Sequence, residues 1–156
     1  MIEILEMTEE DVPIVSRIEE ETFSMPWRAD DFLEMIRCEY AYYVVAKENE
    51  EILGCCGIRN MCGDGEITNV VIKEIHRRKG IGEIMLKGLM EQSQKIGVRS
   101  FTLEVRESNY AAIRLYEKLG FVVEGRRKKF YKKPEEDALI MWKRTGPGSG
   151  NSWMEL

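Results

Sequence analysis

Ile67-Thr68-Asn69-Val70-Val71-Ile72, followed by Arg77-Arg78-Lys79-Gly80-Ile81-Gly82, is the stretch on which the fold turns. Its first half is an apolar run of strand type. Its second half is a short loop with two glycines and three adjacent basic residues. The loop opens the longest helical pattern of the chain, residues 80–96, in which Ile81, Ile84, Met85 and Leu89 have the spacing of one helical face. Backbone N–H groups at a helix start are unpaired and carry partial positive charge. A diphosphate can satisfy several of them together, and glycine lets the backbone approach it closely. The same pattern also suits a glycine-containing helix start beside a solvated basic patch. It is neither the G-x-x-x-x-G-K-S/T of nucleotide triphosphatases nor G-x-G-x-x-G. His76, next to the loop, reads as a surface residue.

Outward from this stretch, strands and helices alternate. Residues 2–5 read as a strand, and Thr8 with Glu9, Glu10 and Asp11 reads as a helix start. Pro26 breaks that helix, and a short helix is expected over 29–37. Residues 42–47 and 52–60 read as strands joined by a polar turn. Gly97 fits the end of the long helix. In 101–106, Phe101, Leu103 and Val105 point one way and Thr102, Glu104 and Arg106 the other. Ser108 or Asn109 caps a further helix ending at Gly120, and 121–123 and 138–142 read as the last strands. The order favours a mixed α/β sheet in one domain over residues 1–144. The Gly-Pro-Gly-Ser-Gly-Asn sequence 146–151 lies in an expected disordered tail, 145–156.

The chain has 156 residues, 44% hydrophobic and 33% charged, with a net charge of −5. An acidic protein is a poor general binder of nucleic-acid phosphate, but it suits a basic peptide. No apolar run reaches the ~20 residues of a membrane span, and residues 1–6 lack the pattern of a signal peptide, so a cytoplasmic protein is expected. Cys38, Cys55, Cys56 and Cys62 form no C-x-x-C pair and are read as buried, reduced thiols; no metal site is expected.

The loop resembles the pyrophosphate loop of the GNAT acetyltransferase superfamily, Arg/Gln-x-x-Gly-x-Gly/Ala, matched by Arg77, Gly80 and Gly82. The resemblance covers nearly the whole chain up to Arg144. The block Leu103-Glu104-Val105-Arg106-Glu107-Ser108-Asn109, continued by residues 111–121, is similar to the RimI branch, whose members acetylate the N-terminal alanine of a small-subunit ribosomal protein. Met25-Pro26-Trp27, residues 126–131 and residues 136–141 are similar to that branch too. Two departures are Lys73-Glu74, where many members have Asp-Pro, and Phe130, where a tyrosine is common. The second bears on a substrate-side hydroxyl, not on the fold.

The resemblance implies a central, mostly antiparallel mixed sheet flanked by helices, acetyl-CoA as co-substrate, and a basic N-terminal peptide as acceptor. It implies that the backbone of Val70, Val71 and Ile72 holds the acetyl and pantetheine part. Arg77, Arg78, Lys79, Gly80, Ile81 and Gly82 hold the pyrophosphate, and Asn109 contacts the cofactor. Glu104 is the implied base and Tyr116 the implied acid, with Trp27 and Tyr131 on the substrate side. From spacing alone, Glu104 equally suits an exposed strand face, Tyr116 a core position, and Trp27 a staple between helices. A GNAT enzyme of another amine (protein lysine, polyamine or aminoglycoside) is the first alternative, and a non-catalytic coenzyme A-binding module the second.

Overall fold

The second strand, β2 (Ala41–Glu48), carries apolar side chains on both faces, and two cores grow from it. Val44 and Ala46 enter one core, while Tyr43 and Val45 enter the other. A strand buried on both faces must lie inside a sheet covered on both sides. In the computed structural model, which describes residues 1–144, that is its position. The strands are β1 (Glu3–Glu6), β2, β3 (Glu51–Met61), β4 (Asp64–Ile72), β5 (Ser100–Arg106), β6 (Val122–Tyr131) and β7 (Glu136–Arg144). Their order is β1-β2-β3-β4-β5-β7-β6, antiparallel throughout except for β4 beside β5. The expected mixed, mostly antiparallel sheet is thus present. The expected tail over 145–156 lies outside the described residues.

Helices α1 (Val12–Thr22) and α2 (Ala29–Ile36) cover one face, through Val12, Val15, Ile18 and Phe32. Helices α3 (Ile81–Gln94) and α4 (Tyr110–Lys118) cover the other, through Met85, Leu86, Leu89 and Tyr116. Thr8 caps a 3₁₀ turn, Glu9–Asp11, which runs into α1, and its N–H donates to Asp11 Oδ2 at 2.9 Å. Asn109 caps α4, its Oδ1 accepting from the Ala112 N–H at 3.2 Å.

Three expectations need correction. Ile84, grouped by spacing with Ile81, Met85 and Leu89, is 45% exposed while those three are buried, and the core-facing stripe continues instead through Leu86 and Met90. At 100° per residue, Ile84 lies well away from the arc that Met85, Leu89 and Met90 define. Cys55 and Cys56 are buried, but Cys38 is half-buried and Cys62 exposed, the latter in the β3–β4 turn; all four are free thiols. His76 is half-buried, with Nε2 2.9 Å from Glu51 Oε2.

The pairing of β4 with β5 positions everything that follows. It covers only Asp64–Ser100, Gly65–Phe101 and Glu66–Thr102. Beyond those pairs the two parallel strands part, β4 running on to Ile72 and β5 to Arg106. Backbone groups of both strands are left facing the gap. No helix of the described residues is long and apolar enough to cross a membrane.

Candidate active site

Glu104, on β5 beyond its last pairing with β4, and Tyr116, on α4, stand on opposite faces of the sheet. Phe101, Leu103 and Val105 of β5 are buried toward α3 and α4, so Glu104, in the alternate register, points to the α1/α2 face. Its side chain is 22% exposed, and burial, the dominant cause, raises its pKa against the opposing pull of Arg127. Arg127 Nε lies 3.2 Å from Glu104 Oε2 without hydrogen-bond alignment. Oε2 is therefore a buried acceptor that lacks a hydrogen-bond partner. Such atoms are few in folded proteins, and this one suits an incoming N–H.

Tyr116 lies on the other side, in the core beneath α4, with its ring centroid 6.0 Å from that of Phe121. Burial drives its pKa well above the ordinary value, so the hydroxyl stays protonated and can act as a donor. Tyr131 bridges the two electrostatically. Its phenol is pushed up to about 12, by burial first and then by Glu104, and it in turn raises Tyr116. The Arg106 guanidinium stacks on the Tyr131 ring, 4.5 Å from its centroid, and Phe130 packs edge-on at 5.0 Å.

The sequence blocks singled out above meet here. Arg106 Nη1 donates to Pro134 O at 3.0 Å and to Glu136 Oε1 at 3.1 Å, clamping the β6–β7 turn, while the Ser108 N–H donates to Glu136 Oε2 at 2.7 Å. Ser24, in the α1–α2 loop, reaches Lys132 O at 3.5 Å across the same face. Trp27 packs against Phe32 (5.3 Å) and Tyr43 (6.1 Å), so it both staples α2 to the sheet and walls this face.

The 77–82 loop fits a diphosphate. Gly80 caps α3 at φ +78°, a conformation glycine adopts freely, and a Cβ built there meets no atom within 4 Å. The space before it is open. The first helical bond, Ile84 N–H to Gly80 O at 3.3 Å, leaves the amides of residues 81–83 without helical partners. Glu83, the acid of this first turn, is neutralised by Lys118 at 3.1 Å and Lys87 at 3.5 Å. Two loop residues also make contacts within the protein. Arg77 braces the framework, donating from Nε to Ile72 O at 2.9 Å and from Nη2 to Thr22 Oγ1 at 3.4 Å. Gly82 makes room for Leu115, whose Cδ2 lies 3.1 Å from an added Cβ. Arg78 and the amides after Gly80 could face a ligand, with Lys79 beside them, its Nζ 3.4 Å from His76 Nδ1.

Gly80→Asp is therefore the clean test of the cradle. Aspartate tolerates positive φ better than most residues, so the fold survives while a negative charge enters the open space. Coenzyme A affinity by calorimetry should fall by well over tenfold, that is by more than ~1.4 kcal/mol. Unchanged affinity in the folded variant would remove the loop from the site.

Sequence reasoning missed a polar network under β4. Glu19 of α1 is 2% exposed, and the Asn69 amide donates to both of its carboxylate oxygens, at 3.0 and 3.2 Å. Tyr43 Oη lies 2.8 Å from Thr68 Oγ1 and donates to Asn69 Oδ1 at 3.2 Å. Gly57 lets the Tyr43 ring lie flat across β3, since a Cβ there would stand 2.2 Å from a ring carbon. The one available signal was an acid at a core position of a helical pattern, next to Ile18.

Burial raises the Glu19 pKa from 4.5 to about 7, against the Asn69 bond. A raised carboxylate pKa means the folded protein keeps a proton that the unfolded chain releases. Stability therefore falls as pH climbs from 4.5 to about 7 and stays reduced above it. The full penalty is roughly 3 kcal/mol. Glu19→Gln should accordingly be more stable than the parent at pH 8, with a difference that shrinks toward pH 5. Urea denaturation at the two pH values measures this, and a pH-independent difference would contradict it.

Among proteins of known sequence and structure, the GNAT acetyltransferase family model matches residues 12–121. A Bacillus subtilis protein provisionally named a ribosomal protein bS18-alanine N-acetyltransferase is 39% identical over 134 residues, covering 85% of this chain and 89% of its own. The Escherichia coli ribosomal protein bS18-alanine N-acetyltransferase is 31% identical, covering 84% and 89%. The crystal structure of the Escherichia coli ribosomal-protein-S18-alanine N-acetyltransferase superposes with a TM-score of 0.85 at 28% identity, over 97% of this chain and 99% of that one.

Proposed function

The chain belongs to the GNAT acetyltransferase family, and on that premise we propose that it acetylates the N-terminal alanine of ribosomal protein bS18. The observation that supports the chemistry is that Glu104 lies on β5 beyond its last pairing with β4, on the face of the sheet opposite Tyr116. The similarity to bS18-alanine N-acetyltransferases over most of the chain supports the acceptor.

Acetyl-CoA, the acyl donor of the family, supplies an activated acetyl group on a thioester. The residues suited to hold it are the backbone of Val70, Val71 and Ile72, the amides after Gly80 with Arg78 and Lys79, and Asn109. On the α1/α2 face, Glu104 takes a proton from the alanine ammonium at Oε2, which accepts no hydrogen bond, directly or through a water. Burial raises the Glu104 pKa, which brings a carboxylate nearer the strength this step needs. Backbone N–H groups near Val71 meet the charge that develops on the acyl oxygen. On the α3/α4 face, Tyr116 gives its phenolic proton to the departing sulfur. No enzyme nucleophile is required, and Cys55 and Cys56 are held as buried thiols with raised pKa, unsuited to attack.

The acceptor peptide approaches over α1, α2 and the β6–β7 turn. From Glu9 to Glu39, leaving aside the buried Asp11 and Glu19, there are eight exposed acidic residues against three basic ones, Arg17, Arg28 and Arg37. That wall suits basic residues following the alanine, and the attraction should weaken with salt. The reading places the reaction in the cytoplasm, where ribosomal proteins are made. Incubation with acetyl-CoA and an alanine-terminated basic peptide, followed by mass spectrometry, tests it. One acetyl group on the N-terminus is expected; thioester consumption only with small amines would point to the other class of acceptor.

A further inference from the structure

Asn69 interrupts β4 immediately before the residues assigned to the acetyl group. Val71 pairs with Cys55 and Thr68 with Gly57, so two residues of β4, Asn69 and Val70, oppose the single Cys56 of β3. This is a β-bulge, a device that re-aims the strand beyond it. Asn69 makes the turn at φ +57°, a left-handed conformation that asparagine adopts at less cost than most non-glycine residues and at more cost than glycine. Something must hold it there.

Three elements do. From α1, Glu19 accepts both contacts of the Asn69 amide nitrogen; from β2, the Tyr43 hydroxyl donates to Asn69 Oδ1. From β3, the Cys55 thiol donates to Asn69 O at 3.7 Å. Above its raised pKa of about 7 the carboxylate only accepts, so in that form it dictates which end of the asparagine amide faces it. A glutamine at position 19 could present either its oxygen or its NH₂ and would leave that orientation open. Burying the carboxylate also costs stability, as the raised pKa of Glu19 records. A costly acid in place of a cheaper amide is the pattern expected where function sets the residue.

We propose that Glu19 and Asn69 form a positioning pair that sets the β4 bulge and thereby aligns the backbone of Val70 and Val71 on the acyl group. Neither touches the reacting atoms; both act through the strand. The inference rests on the acetyl-CoA reading of β4 given above.

The test compares Asn69→Gly, Glu19→Ala, Glu19→Gln and Gly80→Asp in steady-state acetyl transfer to an alanine-terminated peptide. KM is measured for each substrate, and folding is checked by circular dichroism. Asn69→Gly keeps a backbone free to adopt positive φ but loses the side-chain bonds. A misplacement of about 1 Å at a reacting centre costs up to ~10²-fold. Asn69→Gly and Glu19→Ala should therefore lower kcat by about 10- to 100-fold, with the peptide KM within about threefold of the parent. Glu19→Gln, which keeps one acceptor, should fall between the parent and Glu19→Ala. A purely structural pair would lower stability and leave kcat per folded molecule unchanged. The inference is overturned if Asn69→Gly retains at least half of the parental kcat, or if Glu19→Gln is no better than Glu19→Ala. Gly80→Asp separates the two levels. If it leaves the acetyl-CoA KM unchanged, the cofactor reading itself fails; if it raises that KM while the Asn69 and Glu19 variants stay fully active, only the positioning pair fails.

Discussion

Replacing Glu104 by glutamine should lower kcat/KM for an alanine-terminated peptide by about 10²–10⁴-fold, the usual contribution of a positioned base. Glutamine preserves size and an acceptor, and it relieves the burial penalty that raises the Glu104 pKa, so the variant should fold. The pH dependence identifies the role. In the parent, activity rises with pH as Glu104 and the amine each lose a proton. In the variant only the limb of the amine remains, with a pKa of ~7.7–8.0. The deficit should narrow above that range, where free amine is plentiful. A deficit of equal size at every pH would mean that Glu104 orients the amine and accepts no proton.

Tyr116→Phe should lower kcat by a similar ~10²–10⁴-fold while leaving coenzyme A affinity nearly intact. The ring stays in its core position against Phe121, and phenylalanine differs only by the hydroxyl. Stability should hold or rise. An unperturbed phenol titrates at ~10 and a thiol at ~8.5, so proton donation to a departing thiolate is mildly uphill in water. Burial raises the phenol further, but it destabilises the thiolate in the same way. A fully active Tyr116→Phe enzyme would return Tyr116 to a packing role.

Element types were largely legible from periodicity. Phe101, Leu103 and Val105 do share one face, and that alternation turned Glu104 toward the other. The strand before the loop and the helix after it were legible too; that the loop holds a diphosphate came from the resemblance, since the same pattern also suits a solvated basic patch. What spacing could not yield was the job of each loop residue. Arg77 has the chemistry of a phosphate ligand, and its guanidinium also ties Ile72 to Thr22. Gly82 looks like a close-approach glycine, and its missing side chain also accommodates Leu115. The Glu19–Asn69 network stayed hidden because it joins residues 50 positions apart through a bulge that no local pattern announces. Asn69 sits in a run that reads as plain strand, and only tertiary packing brings α1 beneath it.

The measurement that tests the central claim most directly compares two basic peptides of otherwise identical sequence. One has a free N-terminal alanine; the other has a blocked terminus and an added lysine. An α-amine titrates at ~7.7–8.0 and a lysine at ~10.4, so a weak base such as Glu104 faces a deprotonation penalty smaller by about 3.5 kcal/mol with the α-amine. Lysine's greater nucleophilicity recovers part of that difference. The account predicts a clearly higher kcat/KM for the free alanine terminus. Equal kcat/KM for the two peptides, or a preference for the blocked one, would contradict it.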